Sequence, residues 1–166
     1  MTRQLRPETH YRIHDPQNFY AEMRRDVKLL LNHGAYVSLT TVIVCCLDAL
    51  AAVSGEAKRS EFEVFVTKHF PELCAALEAT CPGRKGAKTL WEKYRNGFAH
   101  LRGPKQEFAI AQDKELDGLW ADRVKIGDVG PLVALNVDQL AREFLRLLDQ
   151  LGKDAAKGKV KGAKKQ

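Results

Sequence analysis

The stretch that decides the reading is Lys85-Gly86-Ala87-Lys88-Thr89-Leu90-Trp91-Glu92-Lys93-Tyr94-Arg95-Asn96-Gly97-Phe98-Ala99-His100-Leu101-Arg102, followed by Gly103-Pro104. At 100° per residue, Leu90, Trp91, Tyr94, Phe98 and Leu101 fall within an arc of about 100°, enough to define one buried side of a helix. The spacing predicts a helix from about Lys85 to Arg102, and Gly103-Pro104 stops it because neither residue continues a helix. Across the polar side lie Arg95, Glu92, Asn96 and His100. Asn96 and His100 are four apart and share an exposed groove, whereas Arg95 and His100 are five apart and diverge by about 140° on a straight helix. They act together over a substrate laid across the helix end, or when a second copy packs antiparallel and brings its own pair, which favours a homodimer. Gly97 costs about 1 kcal/mol relative to Ala in an exposed helix. A partner backbone crossing close to Gly97 and Ala99 is the simplest reason for it.

Upstream of this helix, the apolar pattern predicts four more. Asp15-Pro16 is an N-cap and first-turn signal, and Phe19, Met23, Val27, Leu30 and Leu31 mark a buried stripe that Gly34 ends. From Ala35 to Ser54 the apolar residues Val37, Val42, Ile43, Cys46, Leu47, Leu50 and Val53 cover more than one face, as expected of a central helix. Ser60 with Glu63 has the spacing of a capping box before Phe62, Phe65, Val66, His69 and Phe70. Pro71 then opens a short helix with Leu73, Ala76 and Leu77 facing the core, ended by Cys81-Pro82-Gly83.

Downstream, Phe108–Ile110, Arg123–Ile126 and Leu132–Leu135 are short β-like runs separated by Asp117-Gly118, Gly127-Asp128 and Gly130-Pro131. They predict a small β-hairpin or irregular insertion. Asn136 with Gln139 caps a last helix whose stripe is Val137, Leu140, Phe144, Leu147, Leu148 and Leu151. The expected fold is therefore all-α, an up-and-down helical bundle with a small insertion before the last helix. It divides into an N-terminal arm (1–15), a helical domain (16–151) and a lysine-rich tail (152–166).

The 166 residues, 45% of them hydrophobic and 29% charged, suffice for one core and are too few for two ordinary domains. The net charge of +6 sits mostly at the end. Residues 152–166 hold six lysines (Lys153, Lys157, Lys159, Lys161, Lys164, Lys165) against Asp154, a net of +5 that leaves +1 for residues 1–151. A Gly/Ala/Lys segment without aromatic residues does not bury enough surface to offset its ordering entropy, so the tail is expected to be disordered. It either adds salt-sensitive affinity for RNA through Lys157, Lys159, Lys161, Lys164 and Lys165, or keeps the chain soluble.

Cys45, Cys46, Cys74 and Cys81 form no C-x-x-C pair and no Cys/His cluster, so no metal or other cofactor is expected and the cysteines should be reduced, buried thiols. His10 and His14, near the N-terminus, are expected to be surface residues. The N-terminus lacks an apolar signal core, which points to a cytoplasmic location. The most apolar stretch, Ala35 to Leu47, is shorter than the roughly 18 residues that a membrane span requires.

The run Arg95-Asn96-Gly97-Phe98-Ala99-His100, an Arg followed by a polar residue, three more residues and a His, resembles the signature of the HEPN family. The motif covers six residues, and a compatible helix order extends the likeness loosely over 16–151. That resemblance implies a helical bundle that commonly dimerises. It implies a metal-independent endoribonuclease of a toxin–antitoxin or defence setting, acting on RNA and held in check by an antitoxin or other protein partner. Its alternative is a catalytically silent module that binds nucleotide, RNA or protein. Carried over, Arg95 and His100 are the catalytic pair and Asn96 their polar helper, with Asp48, Tyr94 and Arg102 as supporting candidates. Many toxins of the family carry a tyrosine shortly after the histidine, in a longer motif that an antitoxin can modify. Here Leu101, Arg102 and Gly103 follow instead.

The residue types suit that chemistry. RNA supplies its own nucleophile, the 2′-hydroxyl, so the enzyme need only move protons and stabilise charge on the phosphate. Imidazole, with a pKa of about 6.5, holds both protonation states near neutrality, and guanidinium binds two phosphate oxygens while staying charged. Asn96 would orient His100 or the phosphate. Arg and His also sit favourably near a helix C-terminus for stability alone. Asp48, a lone acid in an apolar helix, either pairs with Arg95 or is bonded locally, and its position at a helix edge favours the second. Trp91 and Tyr94 are placed to pack in the core rather than to stack bases.

Overall fold

A computed structural model describes residues 16–53, 59–101 and 107–157. Helices α1 (Pro16–Asn32), α2 (Tyr36–Val53), α3 (Arg59–His69) and α4 (Pro71–Thr80) come first. A continuous rod over 86–101 follows, made of α5 (Gly86–Thr89), a π-helical segment (Leu90–Arg95) and α6 (Asn96–Leu101). Strands β1 (Phe108–Ala111), β2 (Ala121–Ile126) and β3 (Val129–Asn136) precede α7 (Val137–Ala156).

The apolar stripes do what their spacing requires. Met23 and Val27 of α1, Ile43 and Leu47 of α2, Phe62 and Val66 of α3, and Leu140, Phe144 and Leu148 of α7 are all buried in one core. Each such side chain contributes about 1.5–3 kcal/mol relative to being exposed. α1 packs against both α2 and α7, and α2 also packs against α3 and α7, which makes α2 the central helix. Gly34, at φ +63°, makes the left-handed turn between α1 and α2. Pro71 opens α4 at its first turn, where its missing N–H costs nothing. Ser60 does not cap α3, which begins at Arg59, so Ser60 lies inside the helix. Val37 is 54% exposed and does not join the core.

The insertion is larger than a hairpin. β2 and β3 pair antiparallel around Gly127, whose φ is +56°. β1 then adds in parallel on the other edge of β3, with Phe108 opposite Val133 and Ala111 opposite Asn136. The result is a mixed three-stranded sheet in the order β1-β3-β2. The mainly helical bundle is as expected, and the insertion before the last helix is a small three-stranded sheet.

Asn136 joins the sheet to α7. Its side-chain oxygen accepts from the Gln139 N–H at 3.0 Å, and its amide donates to Asp113 Oδ1 at 2.7 Å and to the Leu119 carbonyl at 2.8 Å. α7 continues past Leu151 to Ala156, with Lys157 at its end, so the tail read as starting at 152 starts at least five residues too early. Lys159, Lys161, Lys164 and Lys165 lie outside the described residues, as do His10 and His14. No helix among the described residues is long and apolar enough to cross a membrane.

Candidate functional site

The rod carrying the motif is not a regular α-helix. Over Leu90–Arg95 the hydrogen bonds run five residues back, as from the Asn96 N–H to the Trp91 carbonyl. Such π turns are uncommon and often mark functional positions. Tyr94 and Arg95, adjacent in sequence, leave this turn in different directions.

Tyr94 goes to the sheet and is fully buried. Its hydroxyl donates to the Val133 carbonyl of β3 at 2.8 Å, and its ring meets Phe108 edge-on at 5.5 Å. Burial pushes its hydroxyl pKa well above the ordinary value of 10. Tyr94 thus fixes the rod to the sheet and is no part of an exposed site, which removes it from the supporting candidates.

Arg95 goes to α2. Its Nη2 donates to Asp48 Oδ2 at 2.6 Å and its Nε to the same oxygen at 3.2 Å. Nη1 donates to Asn96 Oδ1 at 3.1 Å, and the guanidinium lies 4.4 Å from the centre of the Trp91 ring. Phe62 of α3 in turn meets Trp91 edge-on at 4.9 Å. Asp48 therefore pairs with Arg95, and the favoured expectation of a locally bonded Asp48 is overturned. The reason is α2's packing beside the rod, which brings residues 48 and 95 together across 47 positions of sequence.

The pair is half-buried, with side chains 23% and 24% exposed. A fully exposed pair would contribute about 0–1 kcal/mol. This one is restrained further by Asn96 and Trp91, so the guanidinium has one orientation. Of its five N–H groups, three donate to Asp48 and Asn96 among the described residues. Asn96, expected to orient His100 or a phosphate, turns its oxygen to Arg95. His100 lies on α6, but its side chain is outside the described part, and Arg102 is outside the described residues.

Gly97 is buried within the chain, where α6 packs on α2. That burial arises within one chain and gives no support to a second copy. Cys45 lies one turn before Asp48 and is exposed, contrary to the expectation that all four thiols are buried. Desolvation raises the Cys45 pKa, with Arg95 pulling it down and Asp48 pushing it up. Cys46, facing inward, is pushed up to about 12 by burial first, then by Cys45 and Asp26. Among the described residues no group of three His, Cys, Asp or Glu is arranged to hold a metal ion.

No protein-family model, curated protein or solved structure matches this chain.

Proposed function

We propose that this chain is a metal-independent endoribonuclease that cleaves single-stranded RNA. His100 takes the proton of a 2′-hydroxyl, the 2′-oxygen attacks the adjacent phosphorus, and the bond to the 5′-oxygen breaks as that oxygen takes up a proton. The products are a 2′,3′-cyclic phosphate and a 5′-hydroxyl. Arg95 holds the phosphate and its growing charge, and Asp48, Asn96 and Trp91 hold Arg95. The dimer, a toxin–antitoxin or defence role and a protein partner belong to this proposal, on the strength of the motif's resemblance to the HEPN signature.

The observation that supports the reading best is the restrained guanidinium of Arg95. A preorganised charge is worth more to a transition state than one that must be immobilised during the reaction. Arg95 is also on the same rod as His100, five residues before it.

A second reading, a catalytically silent binding module, draws on the same contact. Asp48 already neutralises Arg95, as expected if the pair exists to fasten the rod to α2. Cleavage of labelled RNA in EDTA by the wild type, Arg95→Ala and His100→Ala separates the two. Loss in both variants supports the nuclease, and equal cutting by all three preparations removes it.

A further inference from the structure

Outside the motif, a groove of about 940 Å³ lies between α3 and the start of the rod. Ser60, Val64, Thr67 and Lys68 line one wall, and Arg84 and Lys85 the other. All six side chains are exposed, and among the described residues no carboxylate pairs with Lys68, Arg84 or Lys85. Two acids also border the groove. Glu78 is occupied, since its Oε1 accepts from the Gly86 N–H at 2.9 Å, and Glu63 has a partner of its own. The groove's unengaged charge is therefore positive.

The rod's charge points the same way. From Arg84 to Leu101 there are five basic residues against Glu92, a net of +4, so the rest of residues 1–151 carries −3. The groove also leads toward Arg95. Ala87 lines it, Trp91 follows one turn on, and Arg95 rests on the Trp91 ring. From Ala87 to Arg95 is at most about 12 Å, the α-helical rise of 1.5 Å per residue being an upper bound across the wider π turn, the length of at most three or four stacked nucleotides at about 3.4 Å each.

We propose that this groove is an exosite for the phosphate backbone of single-stranded RNA, with Lys68, Arg84 and Lys85 as its phosphate contacts, three or four nucleotides from the phosphate at Arg95. The proposal rests on the ribonuclease reading for its ligand. It adds that the length and path of the RNA are read at a place remote from the chemistry.

The test uses the full chain carrying His100→Ala, so that RNA stays intact, and a fluorescein-labelled 15-nucleotide polyuridylate as probe. Binding is titrated at several salt concentrations for this background, for Lys68→Glu with Arg84→Glu added, and for Lys114→Glu with Lys125→Glu as a control of equal charge change. The groove variant should bind about tenfold more weakly than the control, and its salt slope should fall by about 1.4, the loss of two phosphate contacts at about 0.7 each. Polyuridylate containing 4-thiouridine should crosslink to peptides within 60–68 or 83–88, which reads the site without any substitution at the groove. If the groove variant binds like the control and crosslinks fall elsewhere, the exosite is wrong and the ribonuclease reading stands, and an acidic peptide becomes the better occupant. If no form binds RNA, both readings fall together.

Discussion

Tyr94 and Arg95 are neighbours on one helix, and they divide it into two faces of opposite character. The Tyr94 face is dry and complete: its hydroxyl is satisfied by Val133 and its ring by Phe108. The Arg95 face is partly open to solvent, with a cation restrained by Asp48 and Asn96. The first face sets where the rod lies. The second presents a restrained charge beside solvent, open to a ligand in the ribonuclease reading and a fastening of the rod to α2 in the alternative.

The sharpest way to break this contrast is to exchange the expected effects. Arg95→Ala should lower RNA cleavage by about 10²–10³-fold, the usual cost of removing one preorganised donor, while the thermal midpoint moves little because the pair is half-exposed. Tyr94→Phe should do the reverse. It removes the buried hydrogen bond to the Val133 carbonyl, at about 0.5–1.5 kcal/mol, or a drop of about 2–4 °C in Tm per kcal/mol for a chain of this size. Its cleavage rate at 25 °C should match the wild type. A fall in cleavage with Tyr94→Phe, or none with Arg95→Ala, would show that the two faces are not separate.

Two smaller effects refine the comparison. Asp113 is held below the usual carboxylate range, first by the Asn136 amide and then by Arg142. A depressed pKa stabilises the fold above the unfolded value and loses that contribution as pH falls through the folded one. Stability should therefore decline below about pH 4, and Asp113→Asn should flatten that limb of a pH series of melts. Asp48→Asn should weaken cleavage less than Arg95→Ala. It should also speed alkylation of Cys45, because the acid that raises the thiol pKa is gone. Slower alkylation would place Cys45 outside the field of the pair.

Most of the helices were legible because their apolar periodicity, proline starts and glycine stops are local signals: Pro16, Gly34 and Pro71 each act within one turn. β1 was visible as a run, Phe108–Ile110, but not its parallel pairing with β3, which depends on contacts 25 positions apart. The π turn was hidden for a related reason. The wheel assumed 100° per residue throughout, and nothing in Leu90–Arg95 itself announces a wider turn. Asp48 stands out in the sequence as a lone acid in an apolar helix, but its partner does not, because helix packing and not sequence spacing brings it to Arg95. The groove residues Lys68, Arg84 and Lys85 were missed, although Arg84-Lys85 beside Lys88 was a readable basic cluster.

The proposed cleavage depends most directly on His100. Labelled single-stranded RNA should be incubated in EDTA with the wild type and with His100→Ala prepared identically, and the product ends mapped. The account predicts that the wild type cuts, leaving 2′,3′-cyclic phosphates, that a matched DNA strand is spared, and that His100→Ala is slower by about 10²–10⁴-fold. Equal cutting by the two proteins, or cutting of the DNA at the same rate, would contradict it.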